Sequence, residues 1–347
     1  MAAAHYLGDT VDVSFSLEAG ADAATVAAAS SWEWAHGSKA VRRRVRKGGL
    51  IGAVVESWYP EDDRSYGLLL EDDIELSPYF YIYLKLTLLL YVYADADAAP
   101  SPQAEQLLGI SLYTPRLVEV RMPRRRIDLH SELRDLHSEL RDLHSEGRGA
   151  SYTRPLHLQQ LPCSWGSLFF PAPWREFHRY MRRRMHGKAV AVQIPHSATN
   201  GWSTSWKKFL IELCFLRGWL VLYPNFPNQT SFSTNHLEPG EHIGGRANTL
   251  KHQPIDFVVP LMHESAMLRQ LWRGAAGELL APPPLSGLRV LDLFSERSSQ
   301  AKLIAQGRAA ISQQAELAAA VEGLRSEPQS AQQQFVTNLR LAVSGWL

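Results

Sequence analysis

Three consecutive acidic residues, Glu71, Asp72 and Asp73, carry the clearest potential for chemistry in this sequence. They follow the apolar run YGLLL at 66–70, which predicts a buried strand. Adjacent carboxylates repel one another, and a bound cation would relieve that repulsion. Oxygen ligands favour hard ions such as Mg²⁺ or Mn²⁺. The triplet, called the acidic step below, therefore predicts a divalent metal site, with a solvated acidic turn as the alternative.

The surroundings of the acidic step suit a phosphate-bearing ligand. Ser77 and Pro78 are typical of a helix start, with a capping hydroxyl followed by proline at the first helical position. The acids would then lie between the end of a strand and the start of a helix, where ligands bind in α/β folds. A diphosphate could complete the shell of the metal and interact with the positive end of the helix dipole.

Composition limits the class of protein. The chain has 347 residues, 45% of them hydrophobic, which is enough to bury a sizeable core. The formal net charge is +1, which argues against nucleic acid as a partner despite arginine runs at 41–47, 121–126 and 182–184. Two cysteines allow at most one disulfide, so a disulfide-stapled scaffold is excluded.

The sequence predicts neither a signal peptide nor a transmembrane helix. Its start, MAAAHYLGDT, lacks a basic and apolar leader. The apolar run at 78–93 is shorter than the ~20 residues that a membrane-spanning helix needs, and Lys85 interrupts it. We interpret this run as a buried helix. The sequon Asn228-Gln229-Thr230 would suit an endomembrane lumen.

Alternating strand and helix patterns predict an α/β domain over residues 1–295. Strands are expected at 11–15, 66–70 and 219–224, and helices at 49–58 and 203–218, the latter ended by Gly218. A long polar loop is expected at 225–243. The DLHSELR repeats at 128–147 are interpreted as an inserted surface segment, and the Ala/Gln-rich residues 296–347 as a helical tail.

The motif LLLEDDIELSP resembles the strand–DXD–helix step of GT-A glycosyltransferases, especially the family-2-like group. HGSKAVRRRVRKGGLIGAVVESW resembles the segment ahead of that step. Further motifs are similar to a plant and algal group of uncharacterised family-2-like glycosyltransferases: SWYPEDDRSYGLLLEDDIELSPYFYIYLK, LPCSWGSLFFPAPWREF, NGWSTSWKKFLIEL and YPNFPNQTSFSTNHLEPGEHI. Together they cover roughly residues 5–295, apart from the insertion.

This resemblance implies a GT-A-like (Rossmann-like) fold, with a mixed central sheet flanked by helices. It implies transfer of a sugar from a nucleoside diphosphate sugar to an acceptor hydroxyl on a glycan or another molecule. It also implies Mn²⁺ or Mg²⁺ as cofactor, and a Golgi or other endomembrane location.

The resemblance also implies roles for the acidic step and for one late histidine. Glu71 and Asp73 would bind the metal, and Asp72 would contact the ribose or a metal-bound water. His236 or His242 would be a further metal ligand, with a solvent-facing loop histidine as the alternative.

Four other residues receive roles with open alternatives. Lys39 and Arg42 would lie near the diphosphate, or else on a solvated helix face. Trp165, followed by Gly166, would shape a sugar pocket or pack in the core. Glu212 is the nearest match to a catalytic base, although an ion pair with Lys208, four residues earlier, is the stronger explanation, and the base is left open.

One departure from the family pattern concerns the start of the chain. AHYLGDTVDVSF resembles the end of the family's first helix and its second strand, so the first strand has no counterpart. This leaves a second hypothesis: a non-catalytic GT-A-like protein that binds glycans or partners and no longer binds the donor.

Overall fold

The computed structural model describes residues 1–93, 104–127, 129, 156–185, 192–236, 257–265, 269–271 and 284–313. Nearly all of the predicted insertion at 128–147, the tail beyond 313 and His242 lie outside these residues. The helices formed by the described residues are α1 (Ala23–Ser31), α2 (Gly49–Ser57), α3 (Phe80–Tyr91), α4 (Pro171–Met185), α5 (Trp206–Arg217) and α6 (Gln300–Ser312). None of these helices is long and apolar enough to cross a membrane.

The strands of the described residues are short. They are β1 (Val13–Leu17), β2 (Lys39–Arg43), β3 (Gly67–Leu69), β4 (Ile74–Leu76), β5 (Leu107–Ser111), β6 (Leu117–Val118), β7 (Arg125–Arg126), β8 (Leu156–Gln159), β9 (Ser167–Phe169), β10 (Leu220–Pro224), β11 (Ser233–Asn235), β12 (Val290–Leu291) and β13 (Arg297–Ser298). Seven of them form one mixed sheet in the order β13-β12-β8-β10-β5-β9-β3. The prediction of an α/β chain with a mixed sheet flanked by helices is thereby confirmed.

The middle of this sheet is the core of the protein. Every residue of β5, β8 and β10, here called the central strands, is buried. Their sequences, LLGIS, LHLQ and LVLYP, are mostly apolar, as expected for strands covered on both faces. The hydrophobic cluster on one side of the sheet includes Trp174 and Phe177 of α4 and Leu210 and Leu213 of α5.

Helix α5 confirms the helix predicted at 203–218. Gly218 caps its C-terminus with φ of 67°, a left-handed conformation that glycine adopts at little cost. The helix α6 packs against α5 so closely that a Cβ atom at Gly307 would lie 2.3 Å from the carbonyl oxygen of Leu216. The first described part of the Ala/Gln-rich segment therefore belongs to the packed structure.

The acidic step follows the outermost strand of the sheet and not a core strand. The sequence predicts a buried strand at 66–70, but β3 is an edge strand and its three residues are only half-buried. The acids connect it to β4, a strand that the sequence does not predict. The side-chain oxygen of Ser77 accepts a hydrogen bond from the Tyr79 N–H at 3.0 Å, and α3 begins at the next residue.

Another unpredicted strand lies within the predicted polar loop at 225–243. This strand, β11, pairs antiparallel with β4, so that Asn235 faces Ile74 across the ladder. The loop thus returns directly to the acidic step.

Residues 13–43 form a separate β1–α1–β2 arrangement, here called the N-terminal unit. Its two strands pair in parallel, apart from the seven-stranded sheet. The basic run at 41–47 begins in β2, so its first residues lie on a strand and not on a helix face. No residue of β1 or β2 is fully buried, and Ala29 is the one buried residue of α1.

Candidate functional site

The carboxyl ends of three strands reach the same edge of the large sheet. Strand β9 is antiparallel to both β3 and β5, and β10 is parallel to β5. The strands β3, β5 and β10 therefore run in the same direction, and the start of β9 lies at the edge where they end. This arrangement brings Trp165 and Gly166, just before β9, to the edge that carries the acidic step.

Hydrogen bonds hold this edge together. The Leu112 N–H donates to the Gly166 carbonyl at 2.8 Å, and the Ser233 hydroxyl donates to the Trp165 carbonyl at 2.7 Å. Gly166 has φ of 86°, and a Cβ atom there would lie 3.1 Å from the Ser233 oxygen. Glycine is thus favoured by both backbone conformation and space. The turn before β9 consequently fixes the position of the tryptophan.

Burial and neighbouring charges perturb the carboxyl of Glu71 in the acidic step. Glu71 and Asp73 are partly buried, whereas Asp72 is exposed. Burial, and then the nearby Asp73 carboxylate, raise the pKa of Glu71 to about 7, while Lys207 acts to lower it. Loss of solvation disfavours a charged carboxylate, and a like charge adds to that effect. The acidic step is therefore electrostatically strained at neutral pH.

Lys207 and Glu119 form an ion pair, and the charges of both residues act on the pKa of Glu71. Lys207 lies in the first turn of α5 and is 6% exposed, and Glu119 directly follows β6. The Lys207 ammonium also lies 5.8 Å from the centroid of the Trp165 ring. Sequence analysis missed both residues because Lys207-Lys208 resembles a solvated helix face. One sequence feature partly indicates that Lys207 is buried: it follows Trp206 directly, at the start of an apolar helix.

Trp165 combines packing with partial exposure. Its ring packs edge-on against Tyr113 and Phe257, with centroid distances of 4.9 and 5.3 Å. The Tyr113 hydroxyl donates to the Phe257 carbonyl at 3.0 Å and so ties the two neighbours together. Because the tryptophan is only partly buried, both predicted roles, packing and contact with a ligand, are compatible with its position.

His236 lies next to Asp73 but is bonded to another acid. Its backbone N–H donates to the Asp73 carbonyl oxygen at 2.9 Å. Its Nε2 atom is 2.8 Å from a carboxylate oxygen of Glu75, and the imidazole is 45% exposed. The structure thus brings His236 to the acidic step through the β4–β11 ladder. His242 lies outside the described residues.

Lys39 and Arg42 lie on β2, in the N-terminal unit. The Lys39 ammonium donates to the carbonyls of Ala29, Ser30 and Trp32, at 3.2, 2.7 and 2.6 Å, and so caps the end of α1. Arg42 is exposed. Lys39 is therefore engaged within its own unit, and neither predicted alternative, a helix face or a diphosphate contact, describes its observed bonds.

Glu212 is buried between α4 and α5. It is 1% exposed and accepts hydrogen bonds from the Tyr180 hydroxyl at 2.6 Å and from two Arg184 nitrogens at 2.9 and 3.1 Å. The suggested ion pair with Lys208 is wrong, because Lys208 donates to the carbonyls of Asn200 and Trp202. The described contacts of Glu212 are with α4 and not with the acidic step.

The donor set of the acidic step suits a hard divalent ion. Among the residues that the structure describes, no group of three or more His, Cys, Asp or Glu side chains is arranged so that it could hold a metal ion. Mg²⁺-type sites in nucleotide enzymes commonly use one or two carboxylates, and waters and substrate phosphates supply the other ligands. Glu71 and Asp73, which are both partly buried, would supply the one or two carboxylates of such a site.

Comparison with known proteins gives one partial match. The family model of the SPBC1E8.03c C-terminal domain matches residues 2–111, which is 110 of the 347 residues and just under a third of the chain. The matched segment contains the N-terminal unit, the acidic step and β5. No curated protein matches the chain.

Proposed function

We propose that this protein is a glycosyltransferase of the GT-A type, which moves a sugar from a nucleoside diphosphate sugar to an acceptor hydroxyl. The observation that carries the proposal is the position of the acidic step. It lies at the edge of the mixed sheet where β3, β5 and β10 end, together with Trp165. Carboxylates at this edge of an α/β sheet are placed as ligand-binding groups are.

In this proposal the acidic step holds Mn²⁺ or Mg²⁺. Glu71 and Asp73 are the ligands, and His236, adjacent through the β4–β11 ladder, is the candidate third ligand. Asp72 is exposed and available to the ribose or to a bound water. The ion, when bound, would neutralise the charge of the leaving diphosphate as a Lewis acid.

The remaining residues bind and position the substrates. The half-buried Trp165 offers an aromatic surface to a sugar ring, held in place by Tyr113 and Phe257. Arg42, exposed on β2, supplies positive charge that attracts a phosphate-bearing donor. Glu212 acts here as a structural group, because its carboxylate is already bound by Arg184 and Tyr180. The base that accepts the proton of the acceptor hydroxyl is left unassigned.

Calorimetry tests the metal-dependent part of this proposal directly. Nucleoside diphosphates are titrated into wild type and Asp73→Asn, with Mn²⁺ and with chelator. Metal and nucleotide should each tighten the binding of the other, because coupling between two ligands is reciprocal. Asp73→Asn should abolish that coupling while the fold is retained. A donor screen that measures nucleotide release in the presence of Mn²⁺ then identifies the sugar.

Two outcomes contradict the proposal in different ways. Equal nucleotide affinity with chelator present would show that the acidic step is not a metal site. Absence of nucleotide binding by wild type under every metal condition would favour the second hypothesis, a non-catalytic protein that binds glycans or partners.

One observation favours that second hypothesis. Phe15, Trp32 and Trp34 form a row of half-buried rings on the N-terminal unit, with centroid distances of 5.4 and 5.2 Å. Partly exposed aromatic rings suit contact with an apolar sugar face or with a partner protein. Oligosaccharides that quench tryptophan fluorescence without nucleotide, and that lose this effect in Trp32→Ala, would support this function.

A further inference from the structure

The hairpin formed by β6 and β7 presents a basic tip to solvent on a buried base. All six residues at 121–126, with the sequence RMPRRR and here called the basic tip, are exposed. The residues on either side of the tip, Val118, Val120 and Ile127, are buried in the hydrophobic core. The Ala198 N–H also donates to the Val120 carbonyl at 2.7 Å. Four arginines are therefore carried to the surface on a firmly packed support.

Neighbouring acids balance the charge of the basic tip only in part. The run 120–127 contains four arginines and neither Asp nor Glu. Arg121 pairs with Glu296 at 3.2 Å, and both side chains are about half exposed. Arg125 donates to a neutral group, the Phe294 carbonyl, at 3.3 Å. The four arginines and Glu296 together carry a positive charge on this surface, although the net charge of the whole chain is only +1.

Exposed apolar side chains accompany these charges. Met122, within the basic tip, is 70% exposed. Val258 is also exposed, and it lies beside the base of the hairpin, where the Arg116 guanidinium donates to its carbonyl at 3.0 Å. One exposed apolar residue is ordinary on a protein surface. A methionine among arginines, however, combines the two forces that hold proteins at a membrane interface, apolar insertion and attraction to anionic lipids.

We infer that the basic tip is a docking site for an anionic lipid surface, with Met122 inserted among the headgroups and the arginines bound to their anionic oxygens. Charge complementarity identifies this partner, because planar guanidinium groups bind phosphate and carboxylate oxygens in pairs. The exposed methionine favours a lipid surface over a dissolved polyanion such as heparin, which has no apolar layer to receive it. The docking is peripheral and is independent of the proposed glycosyl transfer.

Sedimentation with lipid vesicles tests this inference on the full chain. Vesicles of phosphatidylcholine alone provide the neutral surface, and vesicles that also contain phosphatidylserine provide the anionic one. Wild type should bind the anionic vesicles and not the neutral ones. Added salt should weaken this binding, because it screens the charges.

Two variants separate the contribution of charge from that of apolar insertion. Arg121→Gln/Arg125→Gln should weaken binding to the anionic vesicles by about twentyfold, because each cation near an anionic bilayer contributes roughly fivefold. Met122→Ser should weaken it by severalfold at unchanged charge, because the apolar side chain that enters the headgroup layer is lost. All three side chains are exposed, so both variants should keep the circular dichroism spectrum of wild type.

The matched control removes two charges from another exposed basic run. Arg43 and Lys47 are exposed residues of the run at 41–47, in which Arg44 pairs with Glu56 at 2.8 Å. Arg43→Gln/Lys47→Gln lowers the net charge of the chain by the same amount and should leave vesicle binding unchanged. A loss as large as that of the hairpin variant would overturn the assignment of the docking site to the basic tip.

Two further outcomes would overturn the inference. The first is that folded wild type fails to bind the anionic vesicles. The second is that heparin in solution binds as tightly as the vesicles and Met122→Ser changes neither affinity, which would make the tip a site for a dissolved polyanion. Neither outcome affects the metal-dependent nucleotide binding expected of the proposed function, so the two proposals fail separately.

Discussion

The N-terminal unit and the central strands differ sharply in how much of their surface is covered. In β1 and β2 no residue is fully buried, whereas every residue of β5, β8 and β10 is. Both regions contain parallel strand pairs, and parallel pairs are usually covered on both faces. Along the chain, the acidic step lies between these regions, directly after the half-buried edge strand β3. The candidate site therefore adjoins the less covered edge of the large sheet and not its fully buried middle.

The largest difference in the loss of stability is expected between two ion-paired glutamates, Glu212 in the core and Glu18 in the N-terminal unit. Glu212→Gln should lower the free energy of unfolding by about 3 kcal/mol or more, because a buried guanidinium loses its charged partner. Glu18→Gln, directly after β1, should cost about 1 kcal/mol or less, because that side chain is one-third exposed and Arg44 keeps its closer partner Glu56, at 2.8 Å. Urea denaturation measures both.

The same substitution also tests the role first assigned to Glu212. A catalytic base would lose turnover with little change in stability, whereas a structural group would lose stability first. Glu212→Gln that unfolds like wild type would return Glu212 to the list of possible bases.

The second contrast compares two strand leucines. Leu222 of β10 is 1% exposed, and Leu222→Ala should destabilise the protein by about 2–5 kcal/mol through lost burial and the cavity left behind. Leu17 of β1 is only partly buried, so Leu17→Ala should cost distinctly less. Equal losses in thermal or urea unfolding would show that the N-terminal unit is covered in solution by something that the described residues do not provide.

The smallest effects concern pH, and the two buried histidines and Glu71 should change stability in opposite directions. Burial lowers the pKa values of His157 and His178 to about 4, from 6.5. Between pH 6.5 and 4 the unfolded chain therefore binds more protons at these sites, and stability should fall by roughly 1.4 kcal/mol per pH unit for each histidine. Above pH 6.5 this contribution is constant. His178→Phe should flatten the acid slope of the urea midpoint.

The contribution of Glu71 to the free energy of unfolding should depend on pH in the opposite direction. Its folded-state pKa is raised from 4.5 to about 7, so the folded state binds more protons and is destabilised at alkaline pH. As the pH falls from 7 to 4.5, the contribution of Glu71 to stability should rise. Glu71→Gln should therefore be more stable than wild type at pH 8 and lose this advantage near pH 5. An unchanged difference between pH 8 and pH 5 would contradict the raised pKa.

The sequence predicts the helices and the apolar strands well. The predictions of helix α5 and strand β10 are confirmed. The sequence marks them by an apolar helical run, a glycine at the end of that run, and a second apolar run that forms the strand. Strand β2 was missed because its sequence KAVRR has no alternating apolar pattern. Strand β11 was missed because STN is polar, and its pairing with β4 depends on residues far apart in the chain.

The candidate site is predictable only in part. The acidic step is visible because three carboxylates in succession need an explanation. Its exposure is not predictable, since an edge strand and a core strand with the sequence GLL look alike. The pairs Lys207–Glu119 and Arg184–Glu212 join residues 88 and 28 positions apart, and no local pattern marks such contacts. The sequence therefore indicates the acids of the candidate site but not the ion pairs that its folded structure forms.

The contact at Gly307 sets the shortest fragment that keeps the candidate site intact. Because α6 touches the backbone of α5 there, the two helices share one interface, and α5 carries Lys207 at its other end. A fragment that stops at 295 would leave the Leu216 side of α5 open to water and free to shift. The described structure continues to 313, so a fragment that includes α6 keeps the described contacts of this interface. The residues that determine how firmly Lys207 is held are thus more than ninety positions away from it in the chain.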